Sequence, residues 1–189
     1  MRRLAVYCGS SMGTNPRFAE IARALGVEMA ERGIGLVYGG GRLGLMGVVA
    51  DAVLDAGGEV YGVIPQALVS LEVAHEGCTE LHLVDTMHER KAMMTELTDA
   101  FVAIPGGIGT LDELFEAWSW NALGYHAKPF ALLNVDGFWD GMIAFLDTVA
   151  TTGFMSPARR AQLLVSDDIG DVIDRLDAAI GAAEPKMVW

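Results

Sequence analysis

A glycine-rich segment, PGGIGT (residues 105–110), carries the residue types that bind phosphate. Gly106, Gly107 and Gly109 lack a Cβ, so we expect the backbone there to reach positive φ and to approach a ligand closely. A predicted helix follows, and its first turn offers unpaired N–H groups at the positive end of the helix dipole. Thr110 adds a hydroxyl group at the helix start. The segment therefore predicts a site for a small phosphate-bearing ligand.

Three further segments have compositions typical of ligand-binding loops. GGGRLGLMG (39–47) is glycine-rich, CGSSMGTNP (8–16) is rich in glycine and hydroxyl groups, and DTMHERK (85–91) ends in two adjacent cations. The segment 39–47 repeats the phosphate-binding logic of a glycine loop. It lacks a Gly-Lys-Ser/Thr ending and the strict G-x-G-x-x-G spacing, so it does not indicate a standard ATP or NAD site.

Each of these features also has an ordinary structural interpretation. Thr110 and Glu113 form the Thr-x-x-Glu pattern of a capping box, which explains Glu113 as a helix cap. Arg90 alone is typical of a solvated helix residue, and Ser10 and Ser11 are typical of caps. What favours a functional site is convergence, because glycine loops, an arginine–lysine pair and a carboxylate fall on loops that we expect to be neighbours.

The elements that position these segments are short apolar runs alternating with amphipathic stretches. Six runs are predicted strands, at residues 4–8, 35–38, 59–64, 79–84, 100–104 and 130–134. Helices are predicted at about 16–32, 45–56, 87–97, 110–123, 139–150 and 169–180. Alternating buried strands and helices favour a parallel sheet covered on both faces. We predict one α/β domain over residues 1–189, a Rossmann-like, doubly wound, three-layer α/β/α fold.

This fold would bring the four segments together. Right-handed crossovers send every strand-to-helix loop to the same edge of a parallel sheet. Each of the four segments follows a predicted strand. We therefore expect all four at the carboxyl edge, where open α/β sheets bind their ligands.

Composition narrows the classes of partner. The chain has 189 residues, of which 52% are hydrophobic, as in a compact domain. Its net charge of −12 disfavours binding to nucleic acid or to an anionic membrane. Cys8 and Cys78 match no metal or redox spacing, and without an export signal they indicate a cytoplasmic protein. The spacing of the four histidines does not match a metal site. Met87, Met93 and Met94 are typical of a core or an interface, although methionines also line pockets for nucleotide bases.

At MHERK (87–91) and PGGIGTLDE (105–113) the sequence closely resembles the LONELY GUY family of cytokinin riboside 5'-monophosphate phosphoribohydrolases. These proteins are often described as lysine decarboxylase-like. The resemblance continues through VYCGSS, VYGGGRLGLMG and IPQALVSLEVAHEG, and so covers nearly the whole chain. It implies hydrolysis of the N-glycosidic bond of an adenine-type nucleoside 5'-monophosphate, releasing free base and ribose 5-phosphate. It also implies a homodimer that needs no metal or cofactor.

The same resemblance implies a role for individual residues. Arg90 and Glu113 correspond to the catalytic pair, in which the carboxylate stabilises oxocarbenium charge or orients water and the guanidinium anchors the substrate. The amides of the PGGIGT segment would hold the 5'-phosphate. Substrate contacts are implied at Glu72, Lys91, Gly106, Gly107, Ile108, Gly109, Thr110, Leu111, Asp112 and Ser119.

Two other functions are alternatives. A lysine decarboxylase would bind pyridoxal phosphate through a lysine, and of Lys91, Lys128 and Lys186 only Lys91 is suitably placed in the sequence. Molybdenum-cofactor carrier proteins share this kind of fold and related glycine loops, so nucleotide or cofactor binding without turnover is the second alternative. The presence of Arg90 together with Glu113 favours the hydrolase over the carrier.

Overall fold

The structure, a computed structural model, describes residues 1–182, and its centre is a parallel sheet. The strands are β1 (Arg3–Tyr7), β2 (Gly35–Tyr38), β3 (Val60–Pro65), β4 (Glu80–Val84), β5 (Ala100–Ala103), β6 (Phe130–Leu133) and β7 (Leu163–Ser166). All neighbours pair in parallel, in the order β4-β3-β2-β1-β5-β6-β7.

Helices cover both faces of the sheet. They are α1 (Arg17–Glu31), α2 (Gly44–Asp55), α3 (Met87–Leu97), α4 (Ile108–Ala122), α5 (Asp140–Thr151), α6 (Pro157–Arg160) and α7 (Ile169–Ala182). One apolar core lies between the sheet and α1, α2 and α7, and a second lies between the sheet and α3, α4 and α5. The predicted doubly wound, three-layer fold is confirmed.

Residues of the central strands alternate between the two cores because successive side chains point to opposite faces. Leu4 and Val6 of β1 enter the first core, and Ala5 and Tyr7 enter the second. Burial on both faces is what makes these strands continuous apolar runs in the sequence.

The predicted elements are confirmed to within a few residues, apart from two omissions. Strand β7 and the short helix α6 were not predicted. Strand β7 lies at the edge of the sheet, and Leu163 is its only buried residue. In the sequence, this strand is marked only by a run of three apolar residues, 163–165, which is short for a strand prediction. The helix predicted from residue 110 begins instead at Ile108.

The connection order reverses beside β1. From β1 the chain proceeds outwards through β2, β3 and β4, and then returns to β5 on the other side of β1. The loops after β1 and β5 therefore leave in opposite directions and open a crevice between them. The N–H of Gly9 donates to the carbonyl of Pro105 (3.1 Å), and the N–H of Leu45 donates to the carbonyl of Gly9 (3.0 Å). Three loops are thus joined at the crevice.

Among residues 1–182, none of the helices combines the length and apolar character needed to cross a lipid bilayer.

Gly26 allows α1 and α2 to pack closely. A Cβ at position 26 would lie 2.7 Å from the carbonyl oxygen of Val49 and 2.8 Å from the Cβ of Ala52. We expect Gly26→Ala to lower the free energy of unfolding by about 1–3 kcal/mol, because the helices must separate to admit the methyl group. Urea unfolding followed by circular dichroism measures the change.

Gly141→Ala is the matched control for this substitution. Gly141 lies in the first turn of α5, where an added Cβ would meet nothing within 4 Å. Alanine is favoured over glycine in helices by up to about 1 kcal/mol, so this variant should keep or gain stability. Equal losses in the two variants would contradict the packing role of Gly26.

Candidate active site

A cavity of about 240 Å³ lies at the carboxyl edge of the sheet, where the four predicted segments meet. The loop after β1 contributes Cys8, Gly9 and Ser10. The loop after β5 and the first two turns of α4 contribute Gly107, Ile108, Gly109, Thr110, Asp112 and Glu113. The remaining wall comes from Met46, Leu68, Glu72, Met87 and Arg90. A second cavity of about 220 Å³, with Phe18 and Phe138 in its wall, shares Gly9, Ser10 and Gly107 with the first.

Two glycines of the PGGIGT segment face open space. A Cβ added to Gly107 or Gly109 would meet nothing within 4 Å, so packing inside the protein does not require glycine at either position. Gly106 differs, because a Cβ there would lie 2.0 Å from Oγ1 of Thr110. Both open glycines line the cavity, and they leave the backbone accessible to a ligand.

The expectation of positive φ in this segment is wrong. Gly107 has φ −103° and ψ −151°, an extended conformation, and Gly106 and Gly109 do not have positive φ either. Gly106 is needed for the space beside Thr110, Gly107 and Gly109 leave open space at the cavity, and none of the three serves a left-handed turn.

Helix α4 begins without a side-chain cap. Its N-cap is Gly107, so the first-turn N–H groups of Ile108, Gly109 and Thr110 have no side-chain cap and lie at the cavity. The capping-box interpretation of Thr110 and Glu113 is therefore wrong, since both lie inside the helix. The same Thr-x-x-Glu pattern does form a capping box at the start of α3, between Thr86 and Glu89.

Arg90 is buried and held mainly by backbone carbonyls. Its Nη2 donates to the carbonyl of Gly39 (2.7 Å) and to Oε2 of Glu72 (3.0 Å), and its Nε donates to the carbonyl of Val63 (3.1 Å). Nη1 contacts the Met87 sulfur at 3.8 Å. With 4% of its surface exposed, Arg90 is not a solvated helix residue, and Nη1 is the donor least committed to the protein.

The glycines of the second loop serve close packing. A Cβ on Gly39 would lie 2.0 Å from Nη2 of Arg90, so this glycine makes room for the guanidinium. A Cβ on Gly47 would lie 2.1 Å from the carbonyl of Arg42, and Gly44 has φ +59° against the backbone of the first loop. From the segment 39–47, only Met46 lines the cavity.

Glu113 points into the cavity from the second turn of α4. Burial raises the pKa of its carboxyl group to about 7; Arg90 opposes the shift, while Glu72 and Asp112 add to it. No ion pair within 4 Å joins Glu113 to another residue of the described chain, since Arg90 is paired with Glu72. A carboxyl group that titrates near neutral pH in a cavity is a candidate for catalytic work.

Lys91 points away from Arg90, towards α4. Its Nζ donates to Asp112 (3.1 Å) and Glu116 (2.5 Å), and it does not line the cavity. Burial lowers the pKa of Lys91, but the hydrogen bonds that it donates to Glu116 and Asp112 outweigh burial and leave the pKa raised. A Schiff-base lysine needs a lowered pKa, so Lys91 does not fit pyridoxal phosphate. Lys128 donates to the carbonyl of Thr95 outside the cavity, and Lys186 lies outside the described residues.

Two of the remaining predicted contacts lie away from the cavity wall, and a third, Gly106, lines only the second cavity. Leu111 packs against the second core, and Ser119 is exposed on α4 beyond Glu113. Ile108, in contrast, lines the cavity and is 82% exposed at its mouth.

Sequence reasoning did not identify Cys8, Met46 and Leu68 as wall residues. Cys8 directly follows β1, so its position at a strand end was an available signal. Burial, with a contribution from Glu113, raises the pKa of the Cys8 thiol, which keeps it protonated.

Ser10 lines the cavity, and neither Ser10 nor Ser11 caps α1, whose N-cap is Pro16. Within residues 1–182, no three His, Cys, Asp or Glu side chains are grouped so as to hold a metal ion.

The chain is similar to proteins of known activity and known structure. It is 45% identical over 188 residues to the cytokinin riboside 5'-monophosphate phosphoribohydrolase LOG of Oryza sativa subsp. japonica, covering 100% of this chain and 78% of that protein. It is 44% identical to a cytokinin riboside 5'-monophosphate phosphoribohydrolase of Rhodococcoides fascians, covering 91% of this chain and 87% of that one.

Among solved structures, the molybdenum cofactor carrier protein of Chlamydomonas reinhardtii superposes with a TM-score of 0.73. The two sequences are 20% identical, with 95% of this chain and 98% of that chain covered, so the likeness concerns the fold alone. The sequence profile of the family described as "Possible lysine decarboxylase" matches residues 46–176. Together with the relatives at 44–45% identity, this match shows that the chain belongs to the LONELY GUY (LOG) family.

Proposed function

We propose that this chain hydrolyses the N-glycosidic bond of adenine-type nucleoside 5'-monophosphates and releases the free base and ribose 5-phosphate. The relatives named above carry this activity in their names. The observation that supports it most strongly is that one cavity contains both the uncapped start of α4 and the Glu113 carboxyl group, which has no ion-pair partner within the described chain. The first feature suits a phosphate group, and the second suits a reacting sugar.

The phosphate is proposed to bind at the start of α4. The N–H groups of Ile108, Gly109 and Thr110 would donate to its oxygens, and the helix dipole would favour its charge. The open backbone at Gly107 and Gly109 permits this approach. A free nucleoside would forgo these contacts, so we expect monophosphates to be preferred.

Glu113 is proposed to act on the ribose. As the C1'–N9 bond breaks, its electron pair leaves with the base, and positive charge develops on C1' and the ring oxygen. A carboxylate beside the sugar would stabilise that charge and orient the water molecule that attacks C1'. Arg90 would donate from Nη1 to a substrate oxygen, while its other donors stay fixed on Gly39, Val63 and Glu72. Such fixed geometry favours a single orientation of the sugar.

The exposed surface of α4 beside the cavity is proposed to take part through assembly. Ile108, Phe115, Leu123 and Tyr125 are exposed apolar side chains on or just after α4, which also carries Ser119. We propose that a second copy of the chain covers this surface in a homodimer, near the mouth of the cavity. Lys91 would then act through Asp112, which it contacts directly. We also propose that residues 1–189 form one domain. The reaction is proposed to take place in the cytoplasm, because the free thiols of Cys8 and Cys78 are typical of a reducing compartment.

The decisive experiment is product analysis with matched substrates. AMP, isopentenyladenosine monophosphate and the corresponding free nucleosides are incubated with the protein, and released base and ribose 5-phosphate are separated by chromatography. We expect release from the monophosphates and little from the nucleosides. Glu113→Gln should lower kcat by about 100-fold or more while AMP still binds, because the amide cannot stabilise positive charge.

Glu96→Gln is the matched control, because Glu96 is an exposed carboxylate on α3 at the opposite edge of the sheet. It should leave kcat unchanged. A protein that binds AMP and releases no base would instead be a carrier.

The pH dependence should follow Glu113. With the carboxylate as the active form, kcat/KM for AMP is half-maximal near the pKa of about 7 that Glu113 has in the unliganded protein, and it falls tenfold per pH unit below that value. Because the folded pKa is raised above its unfolded value, protonation of Glu113 favours the fold, and stability is lost as the pH rises towards and through 7. Glu113→Gln should therefore have a higher Tm than the parent at pH 8, with the difference shrinking towards pH 5. A kcat/KM profile that is flat between pH 5.5 and 8 would contradict this assignment.

Gly109→Ala tests the phosphate site without disturbing the fold. The added methyl group meets no protein atom within 4 Å and lies in the first turn of a helix, so Tm should be unchanged or higher. The methyl group would occupy the space through which the phosphate approaches. We expect KM for AMP to rise by about 10-fold, as for the loss of a charge-assisted hydrogen bond. An unchanged KM would show that the phosphate lies elsewhere.

A further inference from the structure

The segment between β3 and β4, residues 66–79, closes one side of the cavity; we call it the strap. Leu68 and Glu72 of the strap line the cavity. Its regular structure consists of a 3-10 turn at Gln66–Leu68 and one isolated bridge between Ala74 and Gly41. The position of Glu72 therefore depends on the bonds that hold the strap to the rest of the fold.

Backbone bonds tie the strap to the loop after β2. The N–H of Arg42 donates to the carbonyls of Glu72 (3.1 Å) and Val73 (2.9 Å), and the N–H of His75 donates to the carbonyl of Gly40 (2.9 Å). Val73 has a φ of +51°, which β-branched residues rarely adopt. Such a conformation persists only where the surroundings impose it, so the strap is held firmly at this point.

His75 provides a side-chain tie between the strap and α2. Its ring is buried, with Nε2 at 2.9 Å from Oδ1 of Asp51 and Nδ1 at 3.2 Å from the backbone nitrogen of Gly77. Since the N–H of Gly77 donates to Nδ1, that nitrogen is the acceptor, and Nε2 carries the hydrogen that Asp51 accepts. One ring nitrogen fixes the turn of the strap and the other fixes the strap to α2.

We infer that His75 is a positioning residue for the reaction. Bonded to Asp51, it holds the strap in the place from which Glu72 accepts a hydrogen bond from Nη2 of Arg90 (3.0 Å). Without the tie to α2 the strap shifts, Glu72 moves, and the guanidinium loses one of the partners that orient it in the cavity. The inference rests on the proposed function, because it assigns His75 an effect on catalysis through Arg90.

Two substitutions separate the roles of the two ring nitrogens. His75→Asn keeps an acceptor near the N–H of Gly77 but is too short to reach Asp51. His75→Gln extends an amide donor towards Asp51. With AMP as substrate, we expect His75→Asn to lower kcat by about 10-fold or more and to change KM less, because the phosphate site on α4 is untouched. His75→Gln should recover most of the loss.

The control is a histidine–carboxylate pair outside the site. Nε2 of His82 lies 3.3 Å from Glu80 on β4, and His82→Asn should leave kcat unchanged. Asp51→Ala removes the same tie from α2 without changing a strap residue, and it also removes the longer ion pair between Asp51 and Arg42 (3.9 Å). It should reproduce the loss of kcat, and it keeps the test decisive if His75→Asn folds poorly.

The background Glu72→Ala distinguishes positioning from a merely structural role. Once Glu72 is absent, the strap no longer acts on Arg90, so His75→Asn or Asp51→Ala should lower kcat by less than about 2-fold further. Equal losses in the two backgrounds, or no loss in the parent background, would overturn the inference while leaving the proposed function intact. Failure of the unmodified protein to hydrolyse any nucleotide would overturn both.

Discussion

The buried guanidinium of Arg90 organises the carboxyl edge of the sheet. It contacts the loop after β2 through Gly39, strand β3 through Val63 and the strap through Glu72. A buried cation is costly unless its donors are satisfied, so these three partners are needed together. This requirement explains why position 39 has no side chain, and why an irregular segment is held tightly beside the cavity.

Among residues 1–182, the pairing of the cations leaves Glu113 without an ion-pair partner. Arg90 is engaged by Glu72, and Lys91 is engaged by Asp112 and Glu116. Consecutive residues of a helix point about 100° apart, which is why adjacent cations on α3 serve different neighbours. The unpaired carboxyl group has a raised pKa, so the fold bears an unfavourable interaction at the place where chemistry is proposed.

Sequence patterns predicted those features that depend on burial, and not those that depend on where elements begin. The five central strands are buried on both faces and form continuous apolar runs, so all five were found; of the two edge strands, Glu80–Val84 was found and Leu163–Ser166 was not. The Thr-x-x-Glu pattern occurs at Thr110 and at Thr86, and only the second forms a capping box. The reason is that α4 begins at Ile108, which places Thr110 inside the helix. The strap has no periodicity, and its tie to α2 required the structure.

The uncapped start of α4 has a consequence for how a ligand reaches it. The chain carries a net charge of −12, which would repel a phosphate dianion at long range, and the amides proposed to bind it are dipoles whose influence ends within one helical turn. Capture at such a site is short-ranged, and encounter is slower than diffusion alone would permit. Added salt screens the long-range repulsion more than the short-range attraction between the amides and the phosphate. The association rate should therefore rise with ionic strength, whereas it falls for enzymes that steer anions with a basic surface. The same field would turn away polyanions, so the proposed phosphate site would select small ligands with a single phosphate group.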